Sequence, residues 1–156
     1  MVERHRVKQL RITEVEALPS YHLRIKWENG QEHIVDLTTK IKRVSSLKPL
    51  QDRTLFAQAH VGEWGWAVVW NDEIDLDGAQ LYRAGEEAAG KAYPHDAFVA
   101  WMQRNSLSYT TAAKALGLSQ RTIVNYSLGH RPIPVLVGLA CRGYDAAMLE
   151  DLVRVG

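Results

Sequence analysis

The sequence predicts a mixed α+β chain in two parts: an N-terminal unit built on a mostly antiparallel sheet with one helix, and a C-terminal all-α unit of five helices. Three observations predict it. YHLRIKWENGQEHIVDL alternates apolar and polar residues on both sides of Asn29-Gly30, the pattern of two half-buried strands joined by a hairpin. Beyond Pro94 the apolar residues recur instead at helical spacing. Charge divides as well: residues 1–94 hold 13 Lys or Arg and 14 Asp or Glu, a net of −1, whereas residues 95–156 hold 6 and 4, a net of +2. The expected organisation is therefore an α+β unit over 1–83, a linker over 84–94 and an all-α unit over 95–156.

In the first unit, VKQLRITEVEAL reads as strand up to Pro19. Tyr21, Leu23, Ile25 and Trp27 share one face of the next strand, and His22, Arg24, Lys26 and Glu28 the other. A three-residue loop with Gly30 as its bulge sets Leu23 opposite Val35 and Tyr21 opposite Leu37; a two-residue loop would turn Glu32 and Asp36 toward the apolar face. PLQDRTLFAQAH reads as a short helix with Asp52 as N-cap, and EWGWAVVW and DLDGAQLY as a further strand pair with its turn. Trp64, Trp66 and Trp70 are expected to pack in the core, with Trp64 and Trp66 on one strand face.

In the second unit, Asp96 is a candidate N-cap for a helix that spaces Phe98, Trp101 and Met102 at i, i+3, i+4. SYTTAAKALGLS follows, with Ala112, Ala113 and Leu116 inward and Gly117 suited to a left-handed C-terminus. Ser119 caps the next helix, QRTIVNYSLG, which turns Ile123 and Tyr126 to the core and Gln120, Arg121, Val124 and Asn125 away. PVLVGLACRGY and DAAMLEDLVRV then read as two further amphipathic helices.

The composition, 46% hydrophobic and 24% charged, is that of a globular protein. No apolar run approaches the roughly 20 residues that span a bilayer, and MVERHRVKQL lacks the apolar core of a secretory signal. A cytoplasmic protein without a membrane partner is expected. Cys141, within an apolar stretch, reads as a core thiol. His5, His22, His33 and His60 show no metal-ligand spacing. Glu73, Asp75, Asp77 and Gly78 imitate the start of a calcium loop, but Glu73 stands at the first position and Ala84 where a bidentate Glu belongs, so a solvated turn is expected. No nucleophile motif or phosphate-cradling loop is visible, so no catalytic residue, cofactor or metal is assigned and an enzyme is not expected. From Arg104 to Arg142 five basic residues occur without one Asp or Glu, as a surface facing phosphates requires.

Two resemblances add to this. LRIKWENG, HIVDL, LQDRTLFAQAHVG, AVVW and DLDGAQLY, across most of residues 10–83, resemble a small bacterial family of unknown function, which supports the fold and little else. TTAAKALGLSQRTIVNYSLGHRPIP resembles the helix-turn-helix of the lambda-repressor-like (Cro-type) family, through Ala113, Leu116-Gly117-Leu118-Ser119, Thr122-Ile123, Tyr126 and Gly129, and the likeness extends over residues 95–153. It departs at Tyr109, where the family often carries a glutamine that clamps DNA, and at Ser127, often acidic.

The resemblance implies that the helix over 120–128 enters the major groove. Gln120, Arg121 and Asn125 become candidate base readers, since Arg forks onto guanine and Gln and Asn pair with adenine. Thr110, Thr111, Lys114, Arg131 and His130 become candidate phosphate contacts. The expected function is sequence-specific binding of double-stranded DNA by a bacterial transcriptional regulator, acting as a homodimer on two half-sites, with the N-terminal unit serving assembly or sensing of a protein partner. The competing reading is an antitoxin-like or adaptor module in which these helices make protein contacts and DNA binding is secondary or lost.

Overall fold

The computed structural model describes residues 9–155. His5 and the start of the first expected strand, Val7 and Lys8, lie outside them. The chain forms two compact units, Met1–Ala89 and Gly90–Gly156.

The first unit opens with an antiparallel sheet in the order β1 (Ile12–Leu18), β2 (His22–Trp27), β3 (Glu32–Asp36). Leu23 pairs with Val35 and Lys26 with Glu32, and the Leu37 amide donates to the Tyr21 carbonyl at 2.9 Å, which is the three-residue-loop register. Gly30 supplies the positive φ, 89°, that closes this turn. Alternation then buries Leu23, Ile25, Trp27, His33, Val35 and Leu37 together. α1 (Thr38–Arg43) and a 3-10 turn lead to α2 (Arg53–Phe56), whose N-cap is Asp52, accepting from the Thr54 amide at 2.9 Å.

A second three-stranded sheet, β4 (His60–Val61), β5 (Ala67–Val69) and β6 (Asp75–Asp77), precedes α3 (Gly78–Ala88), which Asp77 caps. Among the described residues the unit thus holds two sheets and three α-helices where one sheet and one helix were expected. The difference begins at Glu63–Gly65, a 3-10 turn in which Trp64 takes φ 63°. That turn breaks EWGWAVVW, so Trp64 and Trp66 are 70% and 36% exposed and only Trp70 is buried. Of the expected solvated turn only residues 71–74 form one, with Asn71 accepting from the amides of Glu73 and Ile74 at 2.9 Å, while Asp75 and Asp77 lie on β6 around the buried Leu76. Residues 84–94, expected as a linker with a helical turn, carry more regular structure than one turn. α3 continues to Ala88 because Leu81 and Gly85, four residues apart, both face inward, and Ala92–Tyr93 forms β7.

The second unit comprises α4 (His95–Arg104), α5 (Tyr109–Leu116), α6 (Gln120–Ser127) and α7 (Val135–Val155), with β7 paired to β8 (Ile133–Pro134). It is therefore neither purely helical nor five-helical. The two expected last helices are one, because the stretch between them has no proline and its glycine, Gly143, costs a helix only about 1 kcal/mol. α4 begins after Pro94, and Asp96 sits inside its first turn instead of capping it. Phe98, Trp101, Met102, Ala112, Ala113, Ile123, Tyr126, Ile133 and Cys141 form the core. Burial pushes the Cys141 thiol up to about 11, so it is an inert core group as expected.

Two glycines of α7 should respond oppositely to alanine. A Cβ on Gly138 would lie 2.3 Å from the Tyr93 ring, whereas one on Gly143 would meet nothing within 4 Å. Gly138→Ala is expected to destabilise the protein by about 1–3 kcal/mol and Gly143→Ala to stabilise it by about 0.5–1 kcal/mol, both read by urea denaturation.

Candidate nucleic-acid interface

The candidate interface is built on α5, α6 and the loop after them. Ser108 caps α5 reciprocally with Thr111: the Thr111 amide donates to Ser108 Oγ at 3.1 Å, and the Ser108 amide donates to Thr111 Oγ1 at 2.8 Å. This satisfies two helix-end donors and commits the Thr111 hydroxyl to its own helix. Gly117, at φ 69°, takes the left-handed conformation that ends α5, and the Leu118 amide returns to the Ala113 carbonyl at 3.0 Å. Ser119 then accepts from the Thr122 amide at 3.1 Å and starts α6 with only Gly117 and Leu118 between it and the end of α5. The small side chains of Ala112 and Ala113, both buried, allow Ile123 into the same core.

Gln120 and Arg121 occupy the first two positions of α6 and are exposed. Thr110 donates to Gln120 Oε1 at 3.3 Å, which ties the side chain to α5 and leaves its amino group as an outward donor. Asn125 departs from the expectation. It is only 9% exposed, although the i, i+4 spacing aligns it with Arg121. The loop accounts for this: Gly129 turns at φ 76° and the His130 amide donates to the Asn125 carbonyl at 3.0 Å, so the chain folds back over the last turn of α6. Thr110, Thr111, Lys114, His130 and Arg131 are all exposed. Arg131 acts electrostatically on Tyr126, whose hydroxyl is pushed up by burial while the nearby cation opposes the shift.

The acid-free stretch of sequence is less free in space. Asp145, from α7, meets Arg104 at 2.6 Å and accepts from Asn105 Nδ2 at 2.9 Å. The Arg104 hydrogen bond holds the Asp145 carboxyl below its ordinary range. The cations outside that pair in this stretch are Lys114, Arg121, Arg131 and Arg142. At Ser127 and Tyr109, the two departures from the expected motif, the Ser127 hydroxyl lies 3.4 Å from the Tyr109 hydroxyl and the Ser127 carbonyl lies 2.8 Å from His95 Nε2. These contacts draw on α4, α5 and α6.

One titratable cluster in the first unit has no counterpart in the sequence reading. Trp27 Nε1 donates to His33 Nδ1 at 2.9 Å, and His33 Nε2 lies 3.0 Å from Glu86 Oε2, with the His33 side chain 4% exposed. Since Nδ1 accepts, Nε2 carries the proton and donates to the carboxylate. Both ring nitrogens are thus engaged, and the Tyr82 ring packs edge-on to both Trp27 and His33. The arrangement locks β2, β3 and α3 together and leaves no ring nitrogen open as a base. His33 and Glu86 are 53 residues apart, a pairing no local spacing announces. Among the described residues no group of three His, Cys, Asp or Glu could hold a metal ion, and no helix is long and apolar enough to cross a membrane.

Residues 12–87 match the family described as "Protein of unknown function (DUF2442)". A crystal structure from Nitrosomonas europaea ATCC 19718, that of a protein described as a putative DNA-binding protein, is similar to the chain at 38% identity, covers 90% of this chain and 91% of its own, and superposes with a TM-score of 0.60. At that identity and coverage the chain belongs to the same family as the Nitrosomonas protein. No curated protein matches it.

Ser119 and Asp145 make the geometry testable. Ser119→Ala removes the α6 cap and is expected to lower stability by about 1 kcal/mol, measured by denaturant unfolding. Because the folded carboxyl of Asp145 is depressed, its contribution is full above the ordinary carboxylate value of about 4 and is lost as pH falls through the folded value. Asp145→Asn should therefore flatten the stability profile below about pH 4, followed by thermal melts across that range.

Proposed function

We propose that this protein is a sequence-specific double-stranded-DNA-binding protein acting as a transcriptional regulator, with α5 and α6 forming a lambda-repressor-like helix-turn-helix. The observation that carries the reading is the exposed pair Gln120 and Arg121 at the N-terminal end of α6, held by the Ser119 cap and the Thr110 hydrogen bond. In this motif those positions meet base edges in the major groove. Arg121 supplies a fork for guanine, and Gln120 a donor for the acceptors of a purine. Lys114, Arg131, His130 and Thr110 lie on the exposed surface of the same unit as phosphate contacts, and Thr111 contributes through the α5 cap. Asn125 is withdrawn from the set of base readers. The description of the Nitrosomonas relative supports the same class of ligand.

The protein acts from the cytoplasm as a homodimer on two half-sites, without a catalytic step, and its first unit serves assembly or sensing. A second reading, an antitoxin-like or adaptor module, is favoured by one observation: Trp64, 70% exposed, on a turn held at positive φ, is the kind of rigid aromatic anchor that protein interfaces use.

Binding of the purified chain to DNA from upstream of its own gene, against random DNA of equal length and at several salt concentrations, separates the two. Affinity above random that falls steeply with salt and drops by about tenfold to a hundredfold in Arg121→Glu supports the regulator. Asn125→Ala is expected to lower the melting temperature while leaving base preference intact. No binding at low salt would sink the DNA reading.

A further inference from the structure

α7 carries more apolar surface than its own unit uses. Gly138 and Cys141 are buried on one side of the helix, with Val137 and Tyr144 packed against the core beside them. Along the neighbouring flank of the helix, roughly 100° round from these, Val135, Leu139, Ala146, Leu149 and Val153 recur at alternating spacings of four and three, and Arg142 completes the series. The four large apolar members are 50%, 55%, 64% and 79% exposed in chain order. A repeat averaging 3.5 residues is the one helices use to pair along their length. Single exposed leucines are ordinary, but four large exposed apolar residues on one such repeat, with Arg142 among them and with exposed Leu136, Met148 and Leu152 beside them, give this 21-residue helix an apolar surface out of the ordinary.

We infer that this stripe docks a second copy of the chain, antiparallel, across a two-fold axis through Ala146. Residues equally distant from position 146 then lie level with each other: Leu139 with Val153, Gly143 with Leu149, Arg142 with Glu150, and Ala146 with itself. The stripe is complementary to itself, as a two-fold interface requires. Ala146 and Gly143 let the two backbones approach, and the single charge in the stripe meets an acid of the other copy, twice per dimer. A parallel pair would set Arg142 beside Arg142, where like charges repel. Centred on Ala146, the two helices overlap over residues 137–155, about 28 Å at 1.5 Å per residue. The inference deepens the dimeric reading above and rests on that reading only for its consequence on DNA; the pairing itself stands on α7.

Sedimentation equilibrium of the full chain without DNA tests it. Twice the chain mass at micromolar concentration is expected, and Leu149→Glu with Val153→Glu, both at exposed positions, should yield the single-chain mass with unchanged circular dichroism and melting. Arg142→Glu should weaken association by about tenfold or more, and adding Glu150→Arg should restore it. On oxidation Ala146→Cys should form a crosslinked dimer and Val153→Cys should not, with Cys141 buried in either case. A wild-type chain that stays monomeric, a dimer that survives the double glutamate variant, or crosslinking through Val153→Cys as readily as through Ala146→Cys would overturn the inference. A dimer that fails to bind DNA leaves the pairing standing and sinks the regulator, whereas a monomer that binds its own operator does the reverse.

Discussion

The second unit depends on the burial of Trp101. Its indole is fully enclosed and joins a chain of ring contacts that draws on three helices. Trp101 and Phe98 of α4 lie with centroids 5.7 Å apart, Phe98 meets Tyr126 of α6 edge-on at 5.7 Å, and Trp101 meets Tyr144 of α7 edge-on at 5.5 Å. α5 joins the same core through Ala112 and Ala113. The arrangement has a cost, since Trp101 Nε1 has no hydrogen-bond partner among the described residues, a loss of roughly 1–3 kcal/mol. About 200 Å² of buried ring surface at about 25 cal/mol/Å² contributes about 5 kcal/mol, so packing wins. The direction in which Gln120 and Arg121 point is thereby inherited from the core on the other side of α6.

Caps convert that packing into a fixed presentation. α5 and α6 are eight residues each, shorter than the roughly 12–15 residues at which an isolated helix begins to hold in water. Each is started by a serine and held by the core, and the left-handed Gly117 between them fixes where the second begins. In the role proposed for α6, such rigidity is a gain, because side chains already held in place lose less freedom on binding. The first unit uses a comparable device for a different end. There the Trp27–His33–Glu86 chain of hydrogen bonds is enclosed, and Gly85 makes room for the imidazole, whose Cγ would lie 2.3 Å from any added Cβ.

What was legible in the sequence was what local periodicity and turn chemistry determine. The β2–β3 register follows from Asn29-Gly30 and a period of two, and the start of α6 follows from Ser119 after Gly117. Contacts between distant residues were not legible. Trp64 and Trp66 read as buried strand residues because aromatic content favours a strand, yet one positive φ at Trp64 sends the indole outward. Asn125 read as exposed because helical spacing aligns it with Arg121, and only the return of the chain at Gly129 and His130 covers it. PVLVGLACRGY and DAAMLEDLVRV read as two helices, but nothing between them can stop a helix, and they run on as one. The acid-free run from Arg104 to Arg142 overlooked Asp145, three residues beyond its end, which folds back to neutralise its first cation.

That neutralisation bears on how the unit can work. With Arg104 paired to Asp145, the cations available near α5 and α6 are few, and each phosphate neutralised adds one modest increment to affinity. In the DNA-binding reading proposed above, a single unit of this kind is therefore limited to weak, salt-sensitive contact, and one helix with two candidate base-reading side chains covers a short stretch of sequence. Pairing two chains through α7 would remedy both limits without changing either site. It doubles the phosphate contacts, and it adds the requirement that two short sequences occur at a fixed spacing and in opposite sense, which a two-fold axis through Ala146 imposes on the DNA as it does on the protein. On the two proposals together, the apolar stripe of α7 and the sparse charge of α5 and α6 answer one another, with specificity coming from the geometry of the pair and no single helix having to supply it.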